Sequence, residues 1–191
     1  MDLTLPVELT RTAPGTNVPS YPFEDIELIH HAWAGALCIR PVHPLDRERE
    51  RAFLQGLSKE SLRNRTLGGS VNPSETTLDM LVSPDYENSY ALAVQEFFTG
   101  RFVAVGRLAM RTAPTQMEFA LVVTDHAQGK GLGSLLMPRL AQVARRLGAN
   151  TLIAETLASN SGMLALAKRH EMTIEPYPED GQLKVLRLAL N

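Results

Sequence analysis

Cysteine is nearly missing from this sequence. Cys38 is the only one in 191 residues, so no internal disulfide can form and a reducing compartment is expected. Long hydrophobic runs are missing too: none approaches the roughly 20 residues that a membrane span needs. Met1 to Thr4 lack a basic stretch followed by an apolar one, so no secretion signal is expected. Nor does charge of one sign dominate. Lys and Arg number 19 against 21 Asp and Glu, which leaves a net charge of −2 and no general field to attract nucleic acid. There are no internal repeats and no low-complexity segment. These absences point to a cytoplasmic protein with neither membrane nor nucleic acid as partner.

What is present suits one domain with some additions: 44% of the residues are hydrophobic, enough for a real core. Pro6, Pro14, Pro19 and Pro22, with Gly15 among them, exclude a long helix near the start. Residues 1–33 are therefore expected to form an extended arm, which Phe23, Ile26, Leu28, Ile29 and Trp33 could pack down. His30 and His31 face apart in a strand and have no Cys or acidic neighbour at metal spacing, so no metal is expected.

From Ala34 the elements follow in a readable order. Ala34 to Val42 is a strand closed by Pro41 and Pro44, and Asp46 to Leu57 a helix with Phe53, Leu54 and Leu57 on its apolar side. Ser58 caps a second helix carrying Leu62. Asn72 and Pro73 open a third, with Glu75 in its first turn and Leu78 and Leu81 buried. Tyr90 to Phe98 and Arg101 to Met110 flank Thr99-Gly100, a two-residue hairpin signal. Thr151 to Thr156, Glu171 to Tyr177 and Leu183 to Leu190 are the last strands, with a helix from Asn160 to His170 between them. The order predicts a mixed α/β fold, a largely antiparallel sheet with one parallel crossover.

The most informative stretch runs from Glu118 to Met137. Phe119, Leu121 and Val123 point to one side of a strand, and Glu118, Ala120 and Val122 to the other. Gln128-Gly-Lys-Gly-Leu-Gly133 then lets the backbone turn tightly. Leu132, Leu135, Leu136, Leu140, Val143 and Leu147 recur at helical spacing. A glycine loop feeding a helix N-terminus offers free N–H groups and the positive end of the helix dipole, so it is an anion site. A Walker loop is excluded because Lys130 is followed by Gly131. A Rossmann turn is excluded because the glycines fall at 129, 131 and 133, with Ser134 where the last would stand.

The pattern Gln-x-x-Gly-x-Gly at 128–133 resembles the acyl-CoA pyrophosphate loop of the GNAT superfamily of N-acyltransferases. The element order from about 35 to 190 is similar to the GNAT order. Glu118 to Val123, Gln128 to Gly133 and Asn160 to Ala167 look most like the acetyltransferase domain of Pat-type protein lysine acetyltransferases. The resemblance implies a GNAT domain at 34–191 with acetyl-CoA as co-substrate. It implies Glu118 as general base, and Leu121, Val122 and Val123 as the strand end that pairs with the pantetheine amides. The amide of Val122 or Val123 would stabilise the oxyanion. Gln128, Gly129, Lys130, Gly131, Leu132, Gly133 and Ser134 would hold the pyrophosphate, Lys130 through its backbone. Asn160 would bond the pantetheine arm, cap its helix, or do both.

A base is needed because a lysine amine has a pKa near 10.4, so only about one in a thousand is unprotonated at neutral pH. The acceptor implied is an amine, either a small molecule or a protein lysine, and a homodimer is compatible with the resemblance. The competing reading from another class is a catalytically silent acyl-CoA-binding module. Three positions depart from the family. Ala167 stands where many members have a tyrosine acid, Glu171-Met172 replaces a Gly-Phe pair, and Pro138 lies inside the central helix. Pat-type enzymes usually carry a fused regulatory or synthetase-like domain, and none is expected here, which makes protein lysine a less secure acceptor. Arg63 and Arg65 could steer an acidic acceptor, and Arg145, Arg146 and Lys130 could meet CoA phosphates, although most exposed arginines are only solvated surface and Lys130, through its backbone, is the one favoured.

Overall fold

The computed structural model describes residues 20–67, 74–111 and 115–190. Eight strands form one sheet in the order β1-β2-β3-β4-β5-β6-β8-β7. They are β1 Glu27–His31, β2 Gly35–Pro41, β3 Ser89–Glu96, β4 Phe102–Met110, β5 Gln116–Val123, β6 Thr151–Leu157, β7 Thr173–Tyr177 and β8 Asp180–Ala189. Every neighbouring pair is antiparallel except β5 and β6. That parallel pair needs a crossover, which is the helix α4, Leu132–Arg146. The remaining helices are α1 Arg47–Gln55, α2 Lys59–Thr66, α3 Glu75–Val82 and α5 Ser161–Arg169. No helix among the described residues is long and apolar enough to cross a membrane.

Two apolar cores lie on the sheet's two faces, as strand alternation requires. On one face Leu132, Leu136, Leu140, Val143 and Ala144 of α4, and Ala167 of α5, pack on Phe119, Val103, Leu108 and Leu152. Gly106 of β4 lets α4 come close: a Cβ there would stand 2.7 Å from Cδ1 of Leu140. On the other face Phe53, Leu54, Leu57, Leu62, Leu78 and Val82 of the α1–α3 layer cover Ala91, Ala93 and Val105. Two buried ion pairs fix that layer. Asp46 accepts from Arg40 at 2.6 Å and 2.7 Å, and Glu50 accepts from Arg107 at 2.6 Å.

Several local expectations are refined. Residues 20–33 are not only an arm, because β1 pairs with β2 from Glu27↔Ile39 to His31↔Gly35. The sheet thus starts at Glu27 rather than Ala34, and its outer strand is pinned to α4 by Arg139–Glu27 at 2.6 Å and Arg146–Asp25 at 2.5 Å. The third helix is capped by Ser74, whose side chain accepts from the Thr77 N–H, whereas Asn72 and Pro73 lie outside the described residues. The β3–β4 turn is longer than a two-residue loop. Glu96 N–H donates to Arg101 and Gly100 N–H to Glu96, so Phe97 to Gly100 form the loop and Gly100 closes it at φ 68°. α4 runs as one helix through Pro138, which leaves the Ser134 carbonyl without its usual amide donor four residues on.

Candidate active site

A cavity of about 450 Å³ opens where β5 and β6 part. The two strands pair only from Gln116↔Thr151 to Glu118↔Ile153. β5 stays paired with β4 as far as Val123, and β6 with β8 as far as Leu157. Beyond Glu118 and Ile153, then, two strand edges face a gap with no ladder between them. Unpaired backbone in such a gap calls for a partner.

Strand alternation decides which peptide groups enter the gap. The Thr124 N–H donates to Val103 at 2.9 Å, continuing the β4–β5 pairing. Thr124 therefore turns its backbone toward β4, and so do Val122 and Ala120. The N–H groups of Leu121 and Val123 turn the other way, into the gap. Of the two amides considered for the oxyanion, that of Val122 belongs to the β4 ladder and that of Val123 is the candidate. The Val122 side chain lines the cavity independently of this.

The loop after β5 is shaped by Gly129 at φ 71° and Gly131 at φ 90°, values that side chains other than glycine's rarely adopt. Gly131 caps α4 with no side-chain hydrogen bond and no acid in the first turn. The first intrahelical bond runs from Leu135 N–H to the Gly131 carbonyl, so the Leu132, Gly133 and Ser134 amides are left free for an anion. Gln128, Gly129, Gly131, Leu132, Gly133 and Ser134 all line the cavity; Lys130 is exposed at the tip of the loop and does not.

Gln128 has a further job. Its Nε2 donates to the Val123 carbonyl at 3.1 Å and to Ser61 Oγ at 3.0 Å. Asp125 works beside it, accepting from Ser58 N at 2.8 Å, Ser58 Oγ at 2.6 Å and Ser61 Oγ at 2.8 Å. These two side chains tie the start of α2 to the end of β5. Burial works to raise the Asp125 carboxyl pKa, but the hydrogen bonds from Ser58 and Ser61 outweigh it and hold the group below its ordinary value.

Glu118 stands where the strands part, exposed, on the face that α2 covers. It has no hydrogen bond or ion pair among the described residues. Asn160 caps α5: its Oδ1 accepts from Met163 N at 3.1 Å, and its Nδ2 donates to Thr156 Oγ1 at 3.1 Å. One amide N–H of Nδ2 has no partner among the described residues, and Asn160 lines the cavity. Ala167 is fully buried, so no acid occupies the position of the family's tyrosine. Arg146 is committed to Asp25 and the Tyr90 ring, and Arg145 is exposed outside the cavity lining. The described residues contain no cluster of metal-binding side chains.

Sequence reasoning missed most of the far wall, made by Glu60, Ser61 and Asn64 of α2 and Ala154, Glu155 and Thr156 of β6. No motif marks them, because they become neighbours of Glu118 only through the sheet order and the α2 clamp. Arg65 was visible as a charge but not as part of a wall.

A sheet split at one parallel pair, with a glycine loop and a helix N-terminus at the open end, defines a class of α/β folds with an anion site beside an unpaired strand edge. Comparison with known proteins narrows it. Residues 54–172 match the acetyltransferase (GNAT) family, and the chain belongs to that family of acyl-CoA-dependent N-acyltransferases. An acetyltransferase of Pseudomonas aeruginosa is 36% identical over 154 residues, 80% of this chain and 83% of the relative. The acetyltransferase Pat of Mycolicibacterium smegmatis is 30% identical over 132 residues, and the matched part is only 39% of that protein. Among solved structures, the GNAT domain of S. lividans PAT superposes with a TM-score of 0.81 at 26% identity, covering 90% of this chain and all of that domain. An acetyltransferase from Salmonella typhimurium, solved with its cofactor acetyl-CoA, shares the fold with a TM-score of 0.60 at 19% identity.

Proposed function

We propose that this protein transfers the acetyl group of acetyl-CoA to an amine by direct attack, with Glu118 as general base. The observation that carries the reading is the gap between β5 and β6, which runs from Glu118 at its closed end to the free amides of α4 at its open end. Acetyl-CoA, when bound, supplies an activated thioester. The Gly129–Ser134 backbone neutralises the pyrophosphate, and Leu121 and Val123 pair with the pantetheine amides as a missing strand would. The Val123 N–H meets the oxyanion of the tetrahedral intermediate. Asn160 contributes its spare amide proton to the pantetheine arm. Glu118 takes the proton that the attacking amine must lose, and as the amide C–N bond forms the thioester C–S bond would break and CoA would leave as its thiolate.

The likeness to the S. lividans PAT domain and to Pat supports a protein lysine as acceptor. A carboxylate and an arginine on facing walls of one cavity favour a small molecule as a second reading, developed below.

Glu118→Gln tests the chemistry, since it keeps shape and removes the base. Turnover should fall about a hundredfold or more at neutral pH, while CoA affinity by calorimetry stays within about twofold. Raising the pH should restore part of the rate, because more of the amine is then unprotonated. Undiminished turnover between about pH 6 and 9 would remove Glu118 from the mechanism. A wild-type protein that binds CoA and acetylates nothing would instead support the silent module.

A further inference from the structure

α2 sets Glu60, Ser61, Asn64 and Arg65 along the cavity wall that faces Glu118. Arg65 is partly buried there, yet it makes no hydrogen bond and no ion pair with any described residue. That is unusual within this molecule. The other described arginines either hold a carboxylate, as Arg40, Arg47, Arg107 and Arg146 do, or are exposed, as Arg63, Arg145 and Arg169 are. A partly buried cation without a partner is costly, so its retention calls for a partner that comes and goes.

Its surroundings say what that partner is. Glu118 and Glu50 lie within electrostatic reach, but neither closes on the guanidinium. Glu50 already gives Oε1 to Arg107 at 2.6 Å. Burial and the nearby Arg107 disfavour the charge on Arg65, and the two glutamates favour it. An arginine does not solve this by losing its proton. It remains a planar fork, suited to two parallel hydrogen bonds with a carboxylate.

We infer that Arg65 recognises a carboxylate on the acceptor, and that the acceptor is an amino acid or another amine bearing a carboxylate. This rests on the acetyltransferase reading above, because the same molecule must present its amine to Glu118. Arg65 takes the anionic end and Glu118 the amine. Arg107, whose like charge disfavours that of Arg65, is itself held by Glu50 and the Leu81 carbonyl. Arg65 is then a specificity residue that touches the acceptor without entering the chemistry.

The experiment compares acceptors with and without the carboxylate. Wild type, Arg65→Met and Arg65→Lys are assayed with acetyl-CoA and a panel of L-amino acids, each beside its decarboxylated amine. Wild type should prefer the amino acid in at least one pair by tenfold or more in kcat/KM, the scale of a charge-assisted hydrogen bond. Arg65→Met should abolish that preference, bringing kcat/KM for the two members of the pair within about threefold of each other. Arg65→Lys should keep part of it. Calorimetry on the CoA-loaded protein repeats the comparison with N-acetyl amino acids and their N-acetyl amine counterparts, so that slow chemistry does not hide binding. Equal losses for both members of a pair in Arg65→Met would show a structural arginine and overturn the inference. So would a CoA-binding wild type that shows no carboxylate preference in turnover or in binding. Failure to bind CoA at all would defeat the acetyltransferase reading itself.

Discussion

Asp125→Ala removes the carboxylate that holds the start of α2 against the end of β5. Three donors lose their acceptor: Ser58 N at 2.8 Å, Ser58 Oγ at 2.6 Å and Ser61 Oγ at 2.8 Å. Hydrogen bonds to a charged group contribute about 1.5–3 kcal/mol each where water is excluded. Here the carboxylate is exposed and water can replace it, so the sum must be discounted to about 1–2 kcal/mol in all. For a chain of this size that is a fall in Tm of roughly 2–8 °C. Ser58 keeps its own cap on α2, through Ser61 N at 3.2 Å, so the helix should survive with its anchorage loosened. Hydrogen exchange should therefore quicken at 58–66 while the β3–β4 core stays protected. The pH dependence has a definite sign. The Asp125 carboxyl is held below its ordinary value, so its contribution is complete above about pH 4 and is lost as the pH falls through the folded-state value. The Tm gap between wild type and variant should shrink accordingly in acid. An unchanged Tm at pH 7, or a gap that persists undiminished at about pH 3, would refute the clamp.

Other outcomes follow from single positions. Gly106→Ala places a Cβ 2.7 Å from Leu140, itself fully buried, and should cost about 1–3 kcal/mol in denaturant melts; no loss would mean that α4 sits farther from β4. Glu171 holds φ 54°, so Glu171→Gly should stabilise the chain by about 1 kcal/mol, whereas destabilisation would count against that backbone conformation. Pro138→Ala restores a donor for the Ser134 carbonyl and should raise the Tm, an expectation that a lowered Tm would contradict. Gly131→Glu should abolish CoA binding in calorimetry, because its φ of 90° and the open space beside it suit a bare backbone approached by an anion.

Much of this fold is legible in the sequence because its elements are locally consistent. Hydrophobic periodicity marks α4, and alternation marks β5, independently of the rest of the chain. Ser58 caps α2 as a serine before an amphipathic segment should. The misplaced features are those that depend on distant partners. Glu27 to His31 carries no strong strand pattern, and only pairing with β2 and the grip of Arg139 and Arg146 make it an edge strand. The loop at Phe97 to Gly100 is set by which residues close it, Glu96 and Arg101, and not by its Thr-Gly pair alone.

The candidate site divides along the same line. Its glycines can be read because they answer to a local demand, a backbone that must turn and leave amides bare. Glu118 can be read because it lies on the same strand, ten residues before Gln128. The gap itself cannot, because it arises from two strands continuing with different neighbours: β5 with β4, and β6 with β8. Nothing in either strand's composition announces where they stop pairing. The choice between Val122 and Val123 then turns on a one-residue parity, set by the register with β4 and visible only once Thr124 is seen to donate to Val103. Arg65 is the extreme case. In sequence it is one charge in Arg63-Asn-Arg65, with nothing to set it apart from Arg63 as the one that would meet an acidic acceptor. In the fold, α2 is pinned by Asp125 and Gln128 so that Arg63 faces outward and Arg65 lines the cavity. The residues proposed to hold the acyl carrier thus answer to local backbone geometry, and those proposed to face the acceptor to tertiary placement. On that proposal, moving α2 would change acceptor choice while the cofactor loop keeps its sequence.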